Sequence, residues 1–147
     1  LMAITSAICN SFKTEILTAV HNFSASGGNT FNLALYTSSA TINKSTTAYS
    51  ATNEISNTSG SAYSAKGNAL TNVTPVLDSD TAVCDFANTS WTSASFTARG
   101  CLIFNDSASG DPSVCTIDFG GDKTVTSGTF TIEFPAAAAS TAIIQLA

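Results

Sequence analysis

The chain offers few side chains that could do chemistry, and their spacing is loose. His21 is its one imidazole, Arg99 its one guanidinium and Trp91 its one indole. A Ser/His/Asp triad would have to use His21, yet no Gly-x-Ser-x-Gly elbow or similar motif sets a serine beside a base. His21 falls in the last turn of a predicted helix, where a cation complements the dipole, and that is the reading adopted. Carboxylates occur in loose pairs: Asp78 with Asp80, Asp106 with Asp111, Asp118 with Asp122. A turn such as Asp78-Ser79-Asp80 can supply oxygen ligands to calcium. No calcium-loop pattern follows it, and aspartates in turns commonly bond nearby backbone amides instead. Glycoside hydrolysis needs two carboxylates at a set separation across a cleft, which sequence spacing does not display. No catalytic, cofactor-binding or metal-ligating residue is assigned, and the chain is read as non-enzymatic.

Cys9, Cys84, Cys101 and Cys115 lie 75, 17 and 14 residues apart, with no Cys-x-x-Cys pair. That spacing, with a single histidine, disfavours a tetrahedral zinc site. Three of the four sit inside apolar runs, Val83–Phe86, Cys101–Phe104 and Val114–Ile117. Buried free thiols are expected; a disulfide between neighbouring strands stays open as the alternative.

Only 10% of the 147 residues are charged, against roughly 25% in an average globular protein. Hydroxyls replace the charge, with 21 Ser and 22 Thr. Five basic residues and a net charge of -5 exclude a phosphate-backbone binder, so no nucleic acid is expected as a partner. A hydrophobic share of 44% and nine Phe argue against disorder. Six Asn-x-Ser/Thr sites, at Asn22, Asn43, Asn57, Asn72, Asn88 and Asn105, only modestly exceed what so much Ser and Thr yields by chance. The apolar stretch Leu1–Ile8 is short and lacks a basic flank, and no run reaches membrane-spanning length; a soluble chain without a membrane partner is expected.

These residues must be positioned by few elements. Asn10–Phe23 predicts the one helix, capped by Asn10 or Ser11, with Phe12, Ile16, Ala19, Val20 and Phe23 on one stripe and a stop at Ser24–Asn29. After it the period changes to two: residues 30–36 read as a half-buried strand. Residues 37–68 are weakly patterned, anchored by Ile42, Tyr49, Ile55 and Tyr63. They predict a short helix near Thr46–Thr52 or an extended excursion, and are the first candidate for touching a partner. Residues 69–146 read as short strands, with a two-face-covered run at Cys101–Asn105, a hairpin loop at Asp106–Pro112 and a turn at Gly120–Lys123. The whole is expected to be one mainly β domain, 1–147: an antiparallel β-sandwich or jelly roll with one N-terminal α-helix. By residue type, Tyr49, Tyr63, Trp91 and Arg99 are the candidate interface anchors. With Tyr36, the three aromatics would form a sugar-stacking platform if exposed.

The segments Asn10–Leu17, His21–Phe23, Phe31–Ala40, Thr46–Tyr49, Asn53–Glu54, Phe96–Gly100, Ile103–Asn105 and Asp118–Lys123 together resemble a family of small proteins encoded among the virion structural genes of tailed bacteriophages. The resemblance runs over most of the chain and carries no catalytic residues. It implies a virion component, and more loosely a capsid decoration or cement protein on the capsid exterior. Its partners would be the capsid protein and copies of itself, in a cyclic homo-oligomer such as a trimer. The alternatives are a tail, fibre or host-adhesion module of a phage, or a secreted glycan-binding or pilus-like β-sandwich.

Overall fold

The computed structural model describes residues 3–147; Leu1 and Met2, the first residues of the apolar N-terminal stretch, lie outside it. The elements run β1 (Ala7–Ile8), α1 (Asn10–Leu17), β2 (Phe31–Tyr36), β3 (Asn68–Ala69), β4 (Asn72–Asp78), β5 (Thr81–Phe86), β6 (Thr89–Asn105), β7 (Ser113–Ile132) and β8 (Ile144–Leu146). The strands form two antiparallel sheets, β1-β7-β6-β2-β3 and β4-β5-β8. The fold is therefore mainly β with one short helix, and no helix of the described residues is long and apolar enough to cross a membrane.

The helix is shorter than its apolar stripe predicts. Ala19 takes a left-handed φ of 60°, and Val20 N–H bonds the Glu15 carbonyl at 3.0 Å. This is a Schellman-type stop without a glycine, which is why the sequence does not flag it. The cap also differs: extended Cys9 holds that position and makes no side-chain cap bond, so neither Asn10 nor Ser11 serves. Val20–Phe23 then runs back toward the core, where Phe23 stacks on Phe31 with centroids 4.2 Å apart.

Strand β2 is buried along its whole length. Phe31, Leu33 and Leu35 face the main core, while Ala34 and Tyr36 face a second cluster with Ala40, Ile42, Leu102 and Phe104. Residues 37–68 supply that second face. They form no helix at Thr46–Thr52 and instead lie against the sheet through bridges Ile42–Ile4, Ala48–Pro112 and Glu54–Tyr36. Phe104 is thereby covered by the Tyr49 ring at 4.8 Å. Each large apolar side chain so buried contributes about 1.5–3 kcal/mol.

The strands read as separate and short around Trp91–Asn105 and Val114–Phe134 are two continuous strands of 17 and 20 residues. They form one long hairpin closed by the Asp106–Pro112 loop. Gly120–Lys123 does not turn the chain. Pairing steps from Ala98–Lys123 to Gly100–Asp118, so Arg99 alone stands opposite Phe119, Gly120, Gly121 and Asp122. The glycines serve a bulge, with Gly120 at φ 79°. Gly100 is sterically required: a Cβ there would lie 2.5 Å from the Ile117 carbonyl and 2.8 Å from Ile4.

Candidate functional site

The densest polar constellation is built on the one acid that the sequence places between Glu15 and Asp78, which is Glu54. Its Oε2 accepts the Tyr49 hydroxyl at 2.6 Å. Its Oε1 accepts the Tyr63 hydroxyl at 2.6 Å and Lys66 N–H at 2.8 Å. The Tyr63 oxygen in turn accepts Leu35 N–H at 2.9 Å, which ties the 37–68 segment to β2. Burial first, then the hydrogen bond to Glu54, pushes Tyr49 up to about 12. The same two causes raise Tyr63 further, and burial followed by the Glu54 charge raises Tyr36. Phenols held this firmly protonated are structural donors rather than acids at neutral pH.

Lys66 closes the constellation on the solvent side. Its Nζ lies 2.7 Å from Asp106 and 2.9 Å from Asp111, and 5.7 Å from the centroid of the Tyr49 ring. The two carboxylates raise its pKa, Asp106 most. The Asp106/Asp111 pair thus clamps the hairpin loop to the excursion. The other aspartate pairs also make structural contacts, two to backbone and one to a side chain. Asp78 accepts Ala139 N–H at 2.7 Å, Asp118 accepts Gly120 N–H at 3.0 Å, and Asp122 bonds Arg99 Nε at 2.8 Å. Among the described residues no group of three His, Cys, Asp or Glu could hold a metal.

His21 is not at a helix end. It lies past the end of α1 with its side chain fully buried. Nε2 lies 2.8 Å from Glu15 and Nδ1 lies 3.1 Å from Asn105 Nδ2. Asn105 Oδ1 is taken by Ser107 and Ala108 N–H, so its amide N–H faces the ring. That network assigns the acceptor role to Nδ1 and the proton to Nε2. Both nitrogens are engaged, which leaves neither aimed at a nucleophile.

All four cysteines are free and buried in the main core. Burial raises every thiol, Cys84 to about 12, which makes them poor nucleophiles. The four candidate anchors separate. Tyr63 and Trp91 are 1% and 4% exposed and stack on each other at 5.9 Å in the core. Tyr36 is equally buried, so these rings form no exposed sugar-stacking platform. Tyr49 is half-buried on Phe104, and Arg99 is half-exposed at the bulge. Sequence reasoning missed Glu54 and Asn105; isolation of a lone acid in a Ser/Thr/Asn stretch was the available signal for Glu54.

Besides the exposed apolar side chains Leu17 of α1, Val73, Val76 and Leu77 of β4 and Leu146 of β8, two surface features remain. Among several open strand edges, that of β7 is the longest: β1 pairs β7 only at Cys115 and Thr116, and beyond them residues 117–132 of β7 have no strand on their outer side among the described residues. Along that edge Phe119, Phe130, Ile132 and Phe134 are half-buried and line shallow grooves. The opposite face of the hairpin carries hydroxyl pairs, Ser90–Thr131 and Thr97–Thr124, each at 2.8 Å. The second feature is a cleft of about 230 Å³ between the 37–53 stretch and the sheet.

Comparison with known proteins gives no match to a family model, to a curated protein or to a solved structure.

Proposed function

We propose that this chain is a non-enzymatic structural protein of a phage virion, a capsid decoration or cement protein that sits on the outer shell as a homo-oligomer. One observation supports an assembly role above the others. The outer edge of β7 is open over residues 117–132, beside half-buried Phe119, Phe130, Ile132 and Phe134. Open edges invite pairing with another chain, and soluble monomers usually blunt them. The neutral hydroxyl face behind it suits hydrogen-bonded contacts that salt screens little. The resemblance to virion structural proteins supplies the particular setting.

We further infer that the two sheets pack as a β-sandwich of jelly-roll kind. Phe86 of β5 lies 5.8 Å from Phe31 of β2 and 5.6 Å from Phe134, which supports face-to-face packing.

The test is co-sedimentation of the purified chain with capsid shells that lack it. Saturable binding of an oligomer is expected. A monomer that stays in the supernatant overturns the reading and favours a tail or fibre position, or a secreted module.

A further inference from the structure

The cleft between the excursion and the sheet has a chemical character of its own. Its floor is apolar, made by the outermost atoms of Tyr36, Ile42 and Leu102, which are otherwise buried. Its walls are neutral and polar, from Ser39, Thr41, Thr46, Ser50, Thr52 and Asn53. No Asp, Glu, Lys, Arg or His lines it. A phosphate or carboxylate ligand would lose hydration there without gaining a counter-charge. A purely apolar ligand would strand the wall hydroxyls.

Internal bonds leave the walls with unused capacity. Ser39 is held through its backbone, its N–H donating to Thr37 Oγ1 and its carbonyl accepting from Asn53 Nδ2. Its hydroxyl is then available. Asn53 spends Nδ2 on that bond and keeps Oδ1 as an acceptor. Thr46 Oγ1 accepts Asn43 N–H and Thr52 Oγ1 accepts from Ser50, so each retains its own O–H to donate. A ligand that matches must offer several neutral groups that both donate and accept, around an apolar face. A sugar ring does this, with hydroxyls at its rim and C–H groups on its face. At about 230 Å³ the cleft is smaller than the roughly 300 Å³ at which drug-sized sites begin, so it has room for one ring and not a chain.

The walls are also held in place. The Tyr36 hydroxyl donates to the Ser50 carbonyl at 2.7 Å, and Asn53 accepts Thr37 N–H at 3.0 Å. Glu54, the next residue, is pinned by its two tyrosines. Fixed donors lose little entropy when a ligand arrives.

We propose that this cleft binds a single neutral saccharide ring, free or as the terminal unit of a glycan. The site is separate from the β7 edge, so oligomer formation and sugar binding can fail independently.

The test uses the full ¹⁵N-labelled chain titrated with glucose, galactose, N-acetylglucosamine and maltose. Amide shifts confined to Tyr36, residues 39–53 and Leu102 are expected for at least one probe. The affinity should be on the order of millimolar, as a few neutral hydrogen bonds allow. Ser39→Ala and Thr41→Val should each weaken that binding about three- to tenfold, as loss of one hydrogen bond does. Thr124→Val on the hairpin should leave it unchanged. Equal affinity for a monosaccharide and for maltose identifies a one-ring site open to either source. No shift with any probe at roughly 0.1 M, shifts that map elsewhere, or binding seen only with maltose overturns the proposal.

Discussion

Glu54 accepts the hydroxyl of Tyr63 at 2.6 Å, and through that oxygen holds Leu35 N–H near the C-terminal end of β2. This contact joins the bridges at Ile42, Ala48 and Glu54 in holding the weakly patterned excursion against the sheet. Hydrogen bonds to a charged group contribute about 1.5–3 kcal/mol each. Glu54→Gln puts an amide donor where two phenols and Lys66 N–H also donate. A loss of about 2–3 kcal/mol is expected, or a fall of roughly 5–10 °C in Tm. Calorimetry checks it; an unchanged Tm would remove Glu54 from this role.

Tyr63→Phe tests the same link from the other side. It leaves Leu35 N–H without its partner in a buried setting. A cost of about 1–3 kcal/mol is expected, with faster amide exchange at Leu35. Retained protection at Leu35 would contradict it.

Stability should fall in alkali. Burial raises the pKa of all four thiols, Cys84 from 9.0 to about 12. A group whose folded pKa is raised stabilises fully below its unfolded value and loses that contribution as pH rises through the folded one. Urea unfolding should therefore show stability declining from about pH 9 toward 12, and Cys84→Ala should flatten the decline. Thiol reagent at pH 8 should label none of the four cysteines until the chain unfolds. Rapid labelling of the folded chain would place a thiol at the surface.

Asp85 behaves in the same direction at acid pH. It is buried, one of its oxygens has no partner, and burial raises its pKa above 3.8. Its neutral form is favoured in the fold. The associated stability is present below 3.8 and is lost as pH rises through the folded value. Asp85→Asn should remove this slope while keeping the acceptor for Phe86 N–H. Identical pH profiles for the two proteins would show that Asp85 stays ionised at no cost.

What the sequence made legible follows its periodicities. The alternation in Phe31–Tyr36 and the continuous apolar run Cys101–Asn105 mark strands that the fold contains, and the hairpin loop at Asp106–Pro112 lies where its turn residues put it. The length of the hairpin was hidden. Gly100 and Gly120–Gly121 look like strand ends, yet one is forced by the close approach of Ile117 and the others feed a bulge. The helix stop was hidden because Ala19 takes the left-handed position usually left to glycine. Tyr63 and Trp91 read as interface anchors by residue type alone; strand alternation turns Trp91 inward, and Tyr63, outside any strand, is drawn in by its stack on Trp91 and its bonds to Glu54 and Leu35. The His21 network joins residues far apart in sequence, His21 with Asn105, and no local pattern announces such a pair; the Glu54 network is local, its partners Tyr49, Tyr63 and Lys66 lying within twelve residues, but no regular period marks it.

The open edge of β7 makes a prediction about assembly. Ile132→Lys places a charge on the half-buried stripe beside that edge. The variant should stay folded and sediment as a smaller species than the parent chain. An unchanged oligomer would move the contact elsewhere.

Cryo-electron microscopy of the particle that carries this chain tests the central claim most directly. Density matching the long β6–β7 hairpin is predicted on the outer capsid surface, repeated with the lattice, with copies meeting along β7. Density confined to the tail, or a particle without this chain, would contradict it.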